Sequence, residues 1–454
     1  MLEVIISILG ILLTIFFVIG IHESAHFLVA RWLNIKVLCF SIGFGKALYR
    51  WHDKKGTEYI LALIPLGGYV KMVDEAEGKV AEDDLPYAFN RQPFYKKFLV
   101  VIAGPASNLL SAFLLYWLLF TIGFTTVTPV IGKITPHSIA ANAGLKPHQE
   151  ITRIDNHLIE SWMGIIMRIF VHVGDKDTLN ISATPPNKPA NQAQAYQLPL
   201  VNWHMDELRP DPLTSLGIEP YRPDIPLIIS HIATDSPGAR SPLKVGDKII
   251  AINKIPIKDW EQLIALILSH PEQTLHFTVA RSGKQLVLAI PVGYKYSLLL
   301  QKQGYLGIAP EFKWPPQFLR KIQYGPVAAI PRAWDESLNF LYLNWISFKK
   351  IIEGKISFKS LGGPITIFQS AGSALNSGWI TFLSFLAFLS IAIGFINLLP
   401  IPGLDGGHVL LQVIELIRRR PISISMQLLF FRLGFILLFL VIIQALINDI
   451  LRLG

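Results

Sequence analysis

Cysteine is almost missing from this 454-residue chain: Cys39 stands alone. No intrachain disulfide can form, which excludes a stapled secreted scaffold, and a thiolate-rich zinc site is excluded with it. Any metal must be held by histidine and carboxylate. Charge is scarce as well. Asp, Glu, Lys and Arg make up 16% of the residues, where a soluble domain carries about a quarter. Hydrophobic residues reach 51% and the mean hydropathy is +0.43. Length alone suggests about three domains, and this composition makes one of them a membrane part. The net charge of +9 comes without a zinc knuckle, an RNA-recognition signature or a long basic tail. Basic residues flanking membrane spans account for the excess, and no nucleic-acid partner is expected.

Four uncharged or nearly uncharged runs approach or exceed the ~20 residues that cross ~30 Å of hydrocarbon. The first runs from Val4 to Ile21, with helical pattern continuing to about Trp32. It is read as a retained span, because Met1-Leu2-Glu3 lacks the basic residues of a signal peptide and no small-residue cleavage site follows. The others cover Phe98 to Phe124, about Trp379 to Leu399, and about Leu428 to Ile447. Arg432 falls near the start of the fourth, where its side chain can snorkel to the headgroups. Eleven Lys or Arg between Arg31 and Lys97, with Arg418, Arg419 and Arg420 before the fourth run, put those loops in the cytoplasm by the positive-inside rule. Both termini and the region from about 125 to 378 then lie outside.

That outer region contains a repeat. Gly144 to Trp162 matches Pro242 to Trp260 at an offset of 98 residues, each copy preceded by a short serine-led stretch at Ser138 and Ser236. Such a period means two small domains rather than a solenoid. Both copies resemble PDZ domains. The second keeps the typical turn at Gly246-Asp247, and the first has His148-Gln149 instead. Ser215 to Ile218 and Tyr305 to Ile308 look like the strands on which such domains add a peptide, without sequence settling which copy owns which. Glu336 to Lys359 mixes aromatic and aliphatic residues with lysines, the composition of a helix lying on a membrane surface.

The chemistry concentrates in His22-Glu23-Ser24-Ala25-His26. Residues four apart share a helix face, so both imidazoles can hold one zinc ion while Glu23 reaches the water that such a metal activates. Two histidines and a glutamate at the end of a membrane span are costly there and mark function. A catalytic zinc takes three protein ligands. The third candidate is Asp405, the first charged residue after the third run and on the same cytoplasmic side. Pro400 and Pro402 break the helix before it, and Gly406-Gly407 let the backbone turn back. Asp405 could instead cap the next helix, expected from about His408 to Arg419, and His408 is a rival ligand.

The sequence closely resembles the site-2 protease family of intramembrane zinc metalloproteases, through HExxH in one span and the run from Asn397 to Gly407 after another. The resemblance covers essentially the whole chain. It implies one Zn2+ per chain on His22, His26 and Asp405, Glu23 as general base, and Asn397 contacting the substrate backbone or helping to stabilise the oxyanion. Gly104 and Asn108 match a GxxxN element on the second span that packs near the site. Gly67, Gly68, Tyr69, Val70 and Lys71 fall in a membrane-reentrant β element proposed to hold substrate as an added strand. A helical substrate needs local unwinding before a peptide bond is exposed, and an edge strand can compensate the freed backbone groups.

The expected fold is a polytopic α-helical membrane protein with four transmembrane helices, a membrane-associated β element, and two PDZ-like α+β domains between the second and third spans. The divisions are a first span over 1–32, a cytoplasmic β region over 33–97, a second span over 98–125, PDZ-like domains over 126–220 and 221–313, and an interfacial region over 314–377. A third span over 378–407, a cytoplasmic loop over 408–427 and a fourth span with its tail over 428–454 complete the chain. The resemblance further implies residence in a Gram-negative inner membrane with the active site near the cytoplasmic side. It implies single-pass membrane substrates, namely an anti-sigma factor already shortened outside and leftover signal peptides, with the PDZ-like pair binding or excluding peptide termini. A PDZ-bearing adaptor with a structural metal, and a metal-permeation protein, are the rival readings.

Overall fold

The computed structural model describes residues 2–75, 78–185, 188, 192–206, 210–296 and 301–453. Among them, four helices are long and apolar enough to cross a membrane. They are α1 (Leu2–Trp32), α2 (Phe94–Ile122) and, after the intervening units, α9 (Trp379–Leu398) and α11 (Ile424–Leu453). The helix carrying the second span starts four residues earlier than its uncharged run, because Pro93 precedes it and Lys96 and Lys97 extend it. It stops at Ile122, where Gly123 takes a positive φ of 84° and Phe124 opens a strand. The packed centre is formed by α1, α2 and α9, whose Val18, Ala112, Leu115, Leu386 and Ile391 share one buried cluster. By contrast α11 is apolar on nearly every exposed face, as a lipid-facing helix must be.

Between α1 and α2 lie β1 (Val37–His52) and β2 (Glu58–Met72), two long antiparallel strands folded on themselves. Cys39 to Ile42 pair on one side with Glu58 to Leu61 and on the other with Lys71 to Gly68. The stretch Gly68–Lys71 is therefore an outer strand of the curl. Phe27 and Ala30 of α1 pack against this element together with Ile35 and Val37.

The repeated sequence folds twice in one pattern. In the first copy a sheet runs in the order 157–158, 150–154, 178–184, 194–199, with α3 (Ile139–Asn142), α4 (Trp162–Phe170) and α5 (Pro212–Leu216) around it. In the second the order is 255–256, 248–252, 274–281, 284–291, with α6 (Trp260–Leu268). The two cores are separate, one around Ile151, Ile165 and Leu179, the other around Ile249, Leu263 and Phe277. Ile218–Pro220 pairs with Ile131–Ile134, and Ile308–Pro310 with Ile229–Ile232, which gives each copy one of the two Leu-Gly-Ile stretches. The glycine in each is dictated by close packing. Gly217 and Gly307 have φ of 85° and 76°, and a Cβ there would run into Ser138 and Ser236, the serines that head each copy.

The first copy is fastened to the helical part. The buried Lys350 of α7 (Pro326–Ile352) donates to the Val173 carbonyl at 2.6 Å and to Asp175 at 2.7 Å, and Lys355 reaches the same carboxylate at 2.8 Å. Arg320 adds an ion pair with Glu150 at 2.6 Å. The helix α7 begins ten residues before the amphipathic stretch and ends at Ile352, after which the chain turns into α8 (Pro364–Asn376). Polar side chains of α11 clasp that turn: the Asp449 carboxylate accepts from the backbone N–H groups of Gly363, Ile365 and Thr366 at 2.9–3.1 Å.

A cavity of about 1220 Å³ separates α4 from α2, α7 and α9, with Met163, Met167, Phe385 and Phe388 among its apolar walls. Glu336 of α7 lines it. Burial pushes this carboxyl up to about 7, nearby Glu160 adds to the effect, and Arg168 opposes it. A carboxyl whose folded pKa lies above its unfolded value stabilises the fold in its neutral form, so this contribution is present at low pH and lost as pH rises through 7. Thermal unfolding in detergent between pH 5 and 9 should show it. The parent loses about 1–2 kcal/mol relative to Glu336→Gln above pH 7. Parallel pH curves for the two proteins would show that the carboxyl is solvated.

Candidate metal centre

In α1 the helical spacing sets His22 and His26 on one face, toward α2 and the start of α10 (Asp405–Arg418). There His22 Nε2 lies 3.1 Å and His26 Nε2 3.4 Å from one atom, Asp405 Oδ2, and the two Nε2 atoms are 3.2 Å apart. Asp405 Oδ2 is buried without a hydrogen-bonding partner. Donors about 2.0–2.1 Å from a tetrahedral zinc stand about 3.3 Å from one another. The three observed separations bracket that value. Two imidazoles and a carboxylate are also the donor set that a catalytic zinc accepts, so the residues fit the ion. Among the described residues this is the one group of at least three such side chains that could share a metal.

The turn before Asp405 is built from its sequence. Leu399 leaves helical geometry beside Pro400, Gly403 takes a φ of 89°, and α10 starts at Asp405 itself, three residues before the expected His408. The N-cap position is Leu404, so Asp405 is not the capping residue that was its alternative role. Gly406 and Gly407 are needed for space: a Cβ on Gly406 would press on the Leu398 and Leu399 carbonyls, and one on Gly407 on the Ile401 carbonyl. Pro402 lies against Gly434 of α11. The rival ligand His408 is turned to Phe431, with ring centroids 4.5 Å apart, and is outside the trio. The helix expected from about His408 to Arg419 is present as α10.

Support for the imidazoles comes from α2. The His26 Nδ1–H donates to the Val100 carbonyl at 2.7 Å, a partner with no signature in sequence because any residue supplies a carbonyl. The fully buried Asn108 lies 3.3 Å from His22 Nδ1 through its side-chain amide. Gly104 is where the helices touch the site: a Cβ there would strike His26 Nε2 and come within 2.7 Å of His22 Cε1. Gly104→Ala should therefore displace a ring. The expected result is a tenfold or larger loss of zinc affinity by chelator competition and about 1–3 kcal/mol of stability. Undiminished affinity would mean that α2 can retreat without disturbing the donors.

Glu23 is half-buried beside the trio and faces the β element. A Cβ on Gly68 would lie 2.7 Å from Glu23 Cγ and 2.7 Å from the Ser41 carbonyl. The outer strand therefore runs past the carboxylate with no side chain between them. Of its neighbours, Gly67 has a φ of 138° against the Phe44 ring, Tyr69 stacks on Phe44, and Val70 packs toward Phe27, while Lys71 is exposed. Asn397 is half-buried in the last turn of α9, eight residues before Asp405.

The sequence profile of Peptidase family M50 matches residues 10–441. A protein of Salmonella typhimurium named regulator of sigma-E protease is 38% identical over 446 residues, covering 98% of this chain and 97% of its own. One of the same name from Escherichia coli is 36% identical over the same length, with the same coverage. A Vibrio cholerae protein named as a zinc metalloprotease is 36% identical over 436 residues, or 96% of each chain.

Proposed function

For a chain that belongs to peptidase family M50, and is thus a zinc metalloprotease of the site-2 type, we propose that it cuts single-pass membrane proteins within or at the edge of the bilayer. His22, His26 and Asp405 hold one zinc ion per chain, and Glu23 is the general base. The observation that carries the assignment is the spacing of three donors from two distant parts of the chain, 3.1, 3.4 and 3.2 Å apart around one point. Zinc bound there supplies a Lewis acid that lowers the pKa of a water toward ~7. The Glu23 carboxylate takes a proton from the attacking water and passes it to the leaving amine. Gly68–Lys71 receives the unwound substrate as an added strand, a role supported by its place at the outside of the curl and its bare approach to Glu23. Asn397 holds the substrate backbone or the oxyanion.

The two repeated units act as PDZ-like modules that bind or exclude peptide termini, with Ile218–Pro220 and Ile308–Pro310 as their receiving strands. With the basic loops inside, the units and both termini face the periplasm of a Gram-negative inner membrane, and the metal centre sits near the cytoplasmic side. The relatives' name points to sigma-E regulation. The matching substrate is an anti-sigma factor shortened by an earlier outer cut, with remnant signal peptides as a second class. Purified protein should contain one zinc per chain and cleave a single-span substrate, and a hydroxamate should inhibit by occupying the metal's open position. Metal-free protein with full activity would overturn the proposal.

A further inference from the structure

Both imidazoles meet Asp405 through Nε2. To bind a metal there, each Nε2 must present its lone pair, and a neutral ring then carries its single hydrogen on Nδ1. That hydrogen needs an acceptor. For His26 it is the Val100 carbonyl, 2.7 Å away. For His22 the neighbour of Nδ1 is the side-chain amide of Asn108, with Nδ2 at 3.3 Å. An N–H group cannot accept from another N–H. The same planar amide carries an oxygen, however, and a half-turn about its last torsion exchanges the two ends in nearly the same space. Oδ1 has no hydrogen-bond partner of its own that would oppose the exchange.

We propose that Asn108 is a positioning residue for His22. Its Oδ1 accepts from the His22 Nδ1–H and so fixes the tautomer that leaves Nε2 free for zinc. The assignment rests on the reading of His22 as a zinc ligand. The surroundings hold the amide in place. Asn108 is fully buried, its own carbonyl accepts from Ser111 Oγ at 2.9 Å, and Gly394 of α9 closes over it so tightly that a Cβ there would lie 3.3 Å from Asn108 Cβ.

Partners of this kind typically tune metal affinity 10–100-fold. The test measures zinc affinity of the full chain in detergent, by chelator competition with zinc alone, for the parent, Asn108→Leu and Asn108→Asp. Asn108→Leu, which fills the space without an acceptor, should bind zinc 10–100-fold more weakly. Asn108→Asp, which can only accept, should stay within about threefold of the parent. Equal weakening in both variants, or none in Asn108→Leu, would make Asn108 a packing residue and overturn the proposal. Should a variant fail to fold, 15N-histidine spectra of the zinc-loaded parent decide. They should show His22 protonated at Nδ1, and a metal-bearing Nδ1 would sink the idea. A parent that takes up no zinc at all would instead refute the ligand assignment beneath it.

Discussion

Glu23→Gln should leave zinc bound at one ion per chain and lower cleavage of a single-span substrate by about 10²–10⁴-fold, the range for losing a positioned acid–base group. The change keeps the side chain's shape and its place beside Gly68, so packing against the outer strand is retained. It removes only the ability to take a proton. Glu23 is outside the group whose donor atoms converge, and a glutamine there does not subtract a ligand. Zinc content, thermal unfolding and hydroxamate binding should therefore match the parent while turnover collapses. An adaptor with a structural metal predicts no cleavage in either protein. A metal-permeation protein predicts zinc flux into proteoliposomes that is lost with His22→Ala. Unchanged cleavage in Glu23→Gln would refute the assigned base and require another group to take the proton of the water.

Much of this architecture was legible because its signals are local. Lipid demands ~20 apolar residues per crossing, and the four long apolar helices fall on the four runs. His22 and His26 share a face because the helical period puts them there. Asp405 was reachable through the proline and glycine pattern around it, although its distance from the histidines was not. The backbone-dependent parts were out of reach. That Cys39–Ile42 would be sandwiched between two segments of β2, making Gly68–Lys71 an outer strand, depends on register shifts that residue types do not encode. The Val100 carbonyl and the fit of Gly104 against two imidazoles are likewise properties of how α1 and α2 meet. Helix starts moved for physical reasons too. Asp405 begins α10 instead of following a longer loop, since an acidic residue in a first turn suits the helix dipole. The same position makes the carboxylate rigid, which a metal ligand requires.

Asp405→Ala should abolish zinc retention and cleavage together, and this separates it from Glu23→Gln. Two imidazoles four residues apart can hold a divalent ion only weakly, and the third donor arrives from a different helix some 380 residues later in the chain. Without it the expected loss of zinc affinity exceeds the 10–100-fold typical of an outer partner, and turnover falls below detection. The fold should persist. Asp405 Oδ2 makes no hydrogen bond, the α10 N-cap is Leu404, and the glycines that shape the turn are untouched. Thermal unfolding in the presence of a chelator should therefore be nearly the same in the variant and the parent, while added zinc should raise the unfolding temperature of the parent alone, as binding to the native state requires. His408→Ala supplies the counterpart. His408 lies one helical turn beyond Asp405 and packs on Phe431, so its removal should loosen the contact with α11 and leave zinc in place. Zinc lost from His408→Ala and kept by Asp405→Ala would transfer the third ligand to the histidine. Zinc kept by both would mean that the two ends of the chain do not meet at a metal.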